Sequence, residues 1–291
     1  MDASQPNEPA TSGAEASQPS EPATFAVSVE VVALMIRSQQ LSVLLVERRE
    51  EPFRGRWALP SGFVRRGPAQ PDETLDDAAR RVFAEQTGIE LEPVYLEQLR
   101  AYGDPGRDPR GESVSVAYLA VAPHGTGKLT ARRSTVGAPH WFATSVALEG
   151  AEALALDHGR IIADAVRRTI ELVETTALGL AFCHEWFTIA DLRHVYENLW
   201  ELPSDSLDAG NFHHRVMALK GLLEPVSEEE LAAKAAWDRE TERRLGIMAT
   251  LPEAPAAGRG RPPRRFKRGP LVSKRGPAVS LDRPFRRPSI G

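Results

Sequence analysis

The segment from Gly67 to Ile89 carries charged side chains at spacings that suit metal chemistry. If it is helical, positions 82, 85 and 86 lie on one face, because residues three and four apart are neighbours on a helix. Three carboxylates there would bind Mg²⁺ through oxygen ligands and neutralise a diphosphate during its cleavage. This chain has only Glu85, since Val82 cannot bind a metal and Gln86 offers a neutral carbonyl. We therefore expect no metal site and no catalytic residue in this segment.

The elements that would position this face form a mixed α/β pattern. The helix is predicted to begin near Asp72 or Thr74, either of which can cap it, and to end at Gly88. The segments AVSVEVVALMIR and LSVLLVERR flank the turn-like SQQ and predict a β-hairpin. PVYLEQLRAYG and SVSVAYLAVAP have the alternation of two further strands.

A loop with the sequence GDPGRDPR joins these last two strands and contains Arg107 and Arg110. The guanidinium group presents a fork of donors that matches pairs of diphosphate oxygens. These two arginines are therefore candidates for bidentate contacts with a diphosphate, although a loop arginine is more often simply solvated.

The second half of the chain is mainly helical. HGRIIADAVRRTIELVETTALGLAF predicts a long helix that links two domains, and FTIADLRHVYENLW predicts a helix capped by Thr188. NFHHRVMALKGLL follows after a turn-rich segment, which indicates a helix-turn-helix. Its apolar stripe is expected to pack inward and contains Phe212, Val216, Leu219 and Leu222.

Residues suited to DNA contact lie on the second of these helices and in the basic segment GRGRPPRRFKRG, which predicts part of a wing. A charged insertion, 227–258, precedes that segment. The predicted DNA-binding residues are Thr188, Asn211, His213, His214, Arg215, Lys220, Arg259, Arg261, Arg264 and Arg265. Lys267 would add to the electrostatic attraction. A polar, solvated helix face is the alternative interpretation.

Charge is distributed unevenly along the 291 residues. The segment 253–291 has eleven basic and two acidic residues, a net charge of +9, while the whole chain carries −4, which leaves −13 on the remainder. This asymmetry predicts that the C-terminal end meets a polyanion, the alternative being a solubilising tail.

Composition narrows the class of protein further. Hydrophobic residues make up 42% of the chain, but no apolar run approaches the roughly 20 residues of a membrane span. Cys183 is the single cysteine and has no partner for a disulfide, which fits a reducing compartment. We therefore expect a cytoplasmic protein with no membrane partner.

At this point a family resemblance can be named. The helix segment is similar to the Nudix box, whose pattern is G-x5-E-x7-R-E-U-x-E-E-x-G-U with U aliphatic. The matching residues are Gly67, Glu73, Arg81, Glu85, Gly88 and Ile89. The departures are Val82 and Gln86, at two of the acidic positions.

The surrounding sequence resembles the ADP-ribose-recognising branch of Nudix domains. The shared segments are PFRGRWALPSGFV, in which Ser61 replaces a usual glycine, and the strand-loop-strand around GDPGRDPR. The resemblance implies an ADP-ribose site formed by Arg48, Arg56, Trp57, Ser61, Gly62, Phe63, Glu85, Arg107 and Arg110.

From Phe25 to about Arg268 the chain resembles the NrtR-type Nudix-related transcriptional regulators of NAD metabolism. The fold class implied is α/β: a Nudix α/β/α sandwich with a mixed sheet, then a mainly helical winged helix-turn-helix domain. The predicted segments are a disordered arm (1–24), the sensing domain (25–150), a linker helix (151–180), the DNA-binding domain (181–270) and a basic tail (271–291).

The resemblance also implies a function. It predicts a homodimeric repressor of NAD biosynthesis or salvage genes that binds a double-stranded DNA operator. ADP-ribose or a related nucleotide diphosphate would be the effector, with no cofactor required. One alternative is an active Mg²⁺-dependent ADP-ribose pyrophosphatase using Glu85, Glu73 and either Glu112 or Asp108. Another is a DNA-binding or dimerisation module that has lost its ligand.

Overall fold

The computed structural model describes residues 24–67, 72–89, 95–122, 136–234, 264–270, 272, 279–281 and 285–288. The arm 1–23 and the predicted DNA-binding residues Arg259 and Arg261 lie outside the described residues.

A seven-stranded mixed sheet forms the first half of the molecule. Its strands are β1 (Ala26–Arg37), β2 (Gln40–Glu47), β3 (Trp57–Ala58), β4 (Ser61–Phe63), β5 (Tyr95–Tyr102), β6 (Ser113–Val121) and β7 (His140–Ala143). The order is β3-β2-β1-β6-β5, with β4 also paired to β1 and β7 to β2. Among these described strands, only β1 and β6 pair in parallel, and β1 lies at the centre of the strand order.

The predicted hairpin is confirmed and has a tight turn. Arg37 pairs with Gln40, so the turn contains only Ser38 and Gln39, with φ angles of 46° and 58°. Two consecutive positive φ values match the twist of the flanking strands in a two-residue hairpin loop.

The two faces of β1 enter two different cores, because side chains alternate along a strand. Val31 and Ala33 pack with α1 (Leu75–Thr87), whereas Val32 and Leu34 pack with α3 (His158–Thr175). A short helix, α2 (Thr144–Glu149), also contacts β2 and α3. The predicted α/β/α sandwich is thus confirmed, with the sheet between α1 and α3.

The residues at the two ends of α1 cap the helix as predicted. The Thr74 hydroxyl accepts a hydrogen bond from the Asp77 N–H, and the Asp77 carboxylate accepts one from the Thr74 N–H. Gly88 ends the helix with φ 74°, in the left-handed region that glycine enters without strain.

Beyond α3, the described residues include two short helices and a β-ribbon. A 3₁₀ helix (Ala177–Phe182) leads to α4 (Ile189–Leu199), α5 (Ala209–Met217), β8 (Leu223–Pro225) and β9 (Phe266–Arg268). β8 and β9 pair antiparallel, and Phe187 forms an additional bridge with Phe266. This order of elements is compatible with a winged helix-turn-helix, which stays a prediction.

The described residues of the segment 271–291 pack against the end of α3 and against α4 and α5. The Ala177 N–H donates to the Val279 carbonyl (3.0 Å), and the Leu281 N–H donates to the Thr175 carbonyl (2.9 Å). Further along, Phe285 is only 2% exposed and lies between aromatic rings of α4 and α5. The segment predicted as a basic tail therefore also contributes core residues.

Among the described residues, no helix combines the length and the apolar character needed to cross a membrane.

Replacing Phe285 tests whether the C-terminal segment belongs to the fold. Phe285→Ala removes a buried ring that contacts Tyr196 (4.9 Å between centroids) and Phe212 (5.6 Å). We expect the free energy of unfolding to fall by about 3–5 kcal/mol, measured by urea denaturation. Arg286→Ala, at the exposed neighbour, should change it by less than about 0.5 kcal/mol. Equal stability of the two variants would show that the segment does not pack in solution.

Candidate functional site

A cavity of about 240 Å³ opens between the sheet and the loops at its edge. It is lined by Ser28, Glu30, Val46, Arg48, Glu50, Ala58, Leu59, Ser61, Gly62, Phe63, Gln86, Arg107, Asp108, Arg110, Val136 and Leu156. Six of the nine residues predicted for the ligand site border it: Arg48, Ser61, Gly62, Phe63, Arg107 and Arg110.

Of the two positions that depart from the Nudix pattern, Gln86 lines this cavity and Val82 packs behind its wall. Gln86 is 5% exposed; its Nε2 donates to the Ser61 carbonyl (2.7 Å), and its Oε1 accepts from the Ser61 N–H (3.1 Å). Val82 is fully buried in the core beneath Gly62. A Cβ added to Gly62 would lie only 3.0 Å from Val82 Cγ2, so the two residues are in close contact. Both side chains thus hold β4 in place.

Two further arginines border the cavity, and Arg110 is paired with a carboxylate whereas the Arg48 Nε donates to a backbone carbonyl. Arg48 donates its Nε to the Pro52 carbonyl (3.0 Å), and its pKa is lowered by burial and by the nearby charge of Arg110. Arg110 binds Asp108 through both its Nε and its Nη2 and lies over the Phe63 ring. Two neighbouring guanidinium groups that repel each other favour an anion placed between them.

Arg107 has a different placement from the one predicted. Its side chain is 3% exposed, and its Nη2 donates to Asp157 Oδ1 (2.6 Å) and Glu30 Oε1 (3.1 Å). Its Nε donates to Asp157 Oδ2 (3.1 Å). One edge of the guanidinium is therefore filled by carboxylates in the cavity wall, and the diphosphate contact predicted for Arg107 stays a prediction.

Three other predicted ligand residues do not border the cavity. Arg56 donates Nη1 to the Glu152 carbonyl (2.9 Å), and Trp57 packs its ring edge-on against Phe142 (4.7 Å). Glu85 accepts hydrogen bonds from Arg65 (3.1 Å) and Arg81 (3.4 Å). Their predicted contacts with ligand therefore find no support in this arrangement.

Sequence analysis missed Glu30 and His158, which meet beside the cavity. His158 is fully buried, and its Nδ1 accepts the Leu59 N–H (2.9 Å). Glu30 was detectable, because it is the lone charge inside the apolar stretch AVSVEVVALMI and a buried charge in a strand needs partners. His158 gave no such signal, since its contacts come from residues distant in sequence.

The remaining acidic residues of the box are engaged with arginine. Glu73 accepts two hydrogen bonds from Arg81 (2.6 and 2.8 Å), and these contacts lower its pKa although burial opposes the shift. In the part of the chain that the structure describes, no group of three or more His, Cys, Asp or Glu side chains is arranged to hold a metal ion.

A second candidate site is the exposed face of α5 and its C-terminal turn. Asn211, His213, His214, Arg215 and Lys220 are all exposed. On the opposite face, Phe212, Val216 and Leu222 are buried, and Leu219 packs partly buried against the same core. The sequence thus divides this helix into an inward apolar face and an outward polar face, as predicted.

The contacts of the other predicted DNA-binding residues differ from one another. The Thr188 hydroxyl accepts the Asp191 N–H and so caps α4. Arg264 is exposed and lies over the Phe266 ring, and Arg265 is half-buried. Lys267 is bound to Glu230 (2.6 Å) and Glu224 (3.5 Å), which offsets the charge that it was expected to offer to DNA.

Comparisons with known proteins agree with this architecture. The family model of the NUDIX domain matches residues 26–165. A relative described as the ADPR responsive transcriptional repressor NtrR of Acinetobacter baylyi is 30% identical over 208 residues, which cover 72% of this chain and 78% of the relative. The chain belongs to the NrtR family of Nudix-related regulators.

A solved structure of the same family extends the match to most of both chains. Shewanella oneidensis NrtR complexed with a 27mer DNA superposes with a TM-score of 0.65 at 27% identity, covering 89% of this chain and 99% of that one. The ADP-ribose pyrophosphatase of Methanocaldococcus jannaschii is 35% identical over 125 residues, 43% of this chain and 66% of the enzyme. The predicted family membership is confirmed, and the enzyme matches a shorter part of the chain than the repressor does.

An acidic residue at position 86 tests whether the side chain at this position stabilises the fold through Ser61. Gln86→Glu replaces the donor that faces the Ser61 carbonyl with a carboxylate oxygen. Burial would raise the folded-state pKa of the new carboxyl above its unfolded value of about 4.3. The variant should therefore be less stable by about 1–3 kcal/mol near neutral pH. This loss should shrink as pH falls towards about 4.3, because the protonated carboxyl can donate.

Gln86→Met is the matched control, since it removes both hydrogen bonds without adding a titratable group. Denaturation curves at several pH values should show a cost of Gln86→Met that varies little with pH. If Gln86→Glu followed the same flat profile, position 86 would not be a buried partner of Ser61.

Proposed function

We propose that this chain is a transcriptional repressor that binds ADP-ribose in its Nudix domain without cleaving it and binds operator DNA through a C-terminal winged helix. The regulated genes would be those of NAD biosynthesis or salvage, and the active form a homodimer. The relative from Acinetobacter baylyi is described as responsive to ADPR, and the relative from Shewanella oneidensis was crystallised with DNA.

The observation that carries this proposal is the use of Val82 and Gln86 as structural residues beside an open cavity. A hydrolase of this kind needs carboxylates at these positions to hold Mg²⁺ against the diphosphate. Here one position is core and the other fastens the backbone of Ser61. Arg48, whose Nε donates to a carbonyl, and the exposed Arg110 border the cavity where an anion could meet them, which supports binding without cleavage.

The contacts of α3 offer a route from ligand to DNA. Its N-cap residue, Asp157, accepts hydrogen bonds from Arg107 in the cavity wall, and its last residue, Thr175, accepts one from Leu281. Phe285 follows in the same C-terminal segment and lies under the guanidinium of Arg215 on α5 (4.9 Å). A ligand that shifts Arg107 would thereby change the position of α5. The effect on DNA binding is measurable as a coupling free energy.

Titration of a DNA complex with ADP-ribose tests the regulatory claim. The DNA is a duplex that the protein itself selects from a randomised pool. Saturating ADP-ribose is expected to weaken binding in a mobility-shift assay by roughly 5- to 150-fold, the range of ordinary allosteric coupling. DNA affinity that does not respond to ADP-ribose would contradict the proposal, even if the protein binds DNA.

Variants of the cavity arginines test where the effector binds. Arg48→Gln and Arg110→Gln should each weaken ADP-ribose binding by about 10-fold or more in calorimetry, since a charge-assisted hydrogen bond is lost. Arg54→Gln is the control, because Arg54 lies in the loop that follows Arg48 but is 65% exposed and outside the cavity. A loss of the same size in Arg54→Gln would place the effector elsewhere.

Substitutions on α5 and its C-terminal turn test the DNA interface. Lys220→Ala should weaken binding to all duplexes alike and reduce the slope of log affinity against log salt by about 1. Asn211→Ala should instead reduce the preference for the selected duplex by about 1–3 kcal/mol. Arg66→Ala removes a similar charge from an exposed site in the Nudix domain and should change neither quantity. Lys220→Ala with an unchanged salt slope would exclude this turn from the interface.

The second candidate function is an ADP-ribose pyrophosphatase. It is favoured by the retained Glu73 and Glu85 and by the similarity to the Methanocaldococcus jannaschii enzyme. It predicts that ADP-ribose and Mg²⁺ give AMP and ribose 5-phosphate, at a rate that collapses in Glu85→Gln. Our proposal instead predicts that chromatography recovers ADP-ribose intact.

A further inference from the structure

Glu30 is a buried acid in the wall of the ligand cavity. It lies on the central strand β1, is 2% exposed and borders the cavity. A carboxylate in such a position is costly unless hydrogen bonds and opposite charges compensate it. The partners of its two oxygens therefore show what the side chain is placed to do.

The first oxygen, Oε1, has several partners. Ser115 Oγ donates to it at 2.7 Å and Arg107 Nη2 at 3.1 Å, while His158 Nε2 lies at 3.5 Å. Because His158 Nδ1 accepts the Leu59 N–H, the neutral imidazole carries its proton on Nε2, on the side of Glu30. These contacts fix the orientation of the carboxylate.

Glu30 is ionised in this setting. Burial opposes ionisation, but the hydrogen bond from His158, the positive charge of Arg107 and the hydrogen bond from Ser115 lower its pKa. Its oxygens can therefore only accept hydrogen bonds.

The second oxygen, Oε2, has no hydrogen-bond partner among the described residues. We propose that Glu30 Oε2 accepts a hydrogen bond from a neutral donor of the bound nucleoside diphosphate sugar and thereby sets the specificity of the cavity. The inference rests on the proposed function, since it concerns the same cavity and the same effector. It adds a specificity-determining residue that reads a hydroxyl or amino group.

The charges around the cavity restrict which part of the ligand reaches Glu30. The charge of Arg107 is already offset by Glu30 and Asp157, so this wall repels phosphate. Arg110, which is exposed, and Arg48, whose Nε donates to a carbonyl rather than a carboxylate, suit the diphosphate instead. Apart from the diphosphate, ADP-ribose offers the adenine amino group and the ribose hydroxyls as neutral donors.

Binding of modified ligands to wild type and Glu30→Gln tests the inference. The probes are ADP-ribose, its hypoxanthine analogue, its 2′-deoxyadenosine analogue, and ADP, which lacks the terminal ribose. Titration calorimetry without metal gives the affinities. In wild type, the probe that lacks the critical donor should bind about 10- to 100-fold more weakly than ADP-ribose, because Oε2 stays unpaired. In Glu30→Gln that difference should largely disappear, since the amide can no longer accept at this position.

Two variants control for general damage to the site. Asp157→Asn disturbs the same arginine but leaves Oε2 intact, and Asp104→Asn removes an exposed carboxylate from the loop of Arg107 but outside the cavity. Both should preserve the ranking of the four probes. If Glu30→Gln does not fold, Glu30→Asp takes its place. Its shorter side chain keeps the charge but moves the carboxylate oxygens away from the position of Oε2.

The outcomes separate the two claims. Probe differences that are the same in wild type and in the Glu30 variant overturn the role of Oε2 while leaving the sensor proposal intact. Failure of ADP-ribose to bind wild type overturns the proposed function and this inference with it. Loss of one probe difference in the Glu30 variant alone supports the inference and identifies the donor.

Discussion

The buried ion cluster of Arg107, Glu30 and Asp157 is the interaction on which the rest of the arrangement depends. It joins three parts of the chain: the central strand β1, the loop between β5 and β6, and the start of α3. Removing one member of such a cluster leaves a buried charge without compensation, at a typical cost of about 3–5 kcal/mol. The wall of the cavity and the start of α3 are therefore coupled mechanically, because neither can move without disturbing the cluster.

Near this cluster, two positions that are acidic in the Nudix box pattern have structural roles. Val82 supports the close approach of Gly62, and Gln86 pairs with both backbone groups of Ser61, so that β4 forms a fixed side of the cavity. Glu73 and Arg81 also bind each other and hold the chain that precedes α1. A cavity with such fixed walls and with basic side chains at its border is suited to binding, because little conformational entropy is lost on association.

Local sequence predicted much of the fold, because its signals act over a few residues. Thr74 and Gly88 bound α1, the SQQ turn sets the hairpin, and the stripe from Phe212 to Leu222 packs inward. The site was predicted less well, because the direction of a long side chain depends on partners far along the chain. Arg107 is turned inward by Asp157, fifty residues away, and nothing near Phe285 indicates that it enters the core of α4 and α5.

Reciprocity between the two ligands gives the most direct test of the central claim, that this chain senses ADP-ribose without cleaving it. The measurement is the affinity of ADP-ribose, in the presence of a chelator, for the free protein and for the protein saturated with its selected duplex. The account predicts that ADP-ribose binds without metal, is recovered intact, and binds the DNA complex more weakly by the same factor by which it weakens DNA binding. Equal affinity for both forms, or binding that requires Mg²⁺ and ends in cleavage, would contradict it.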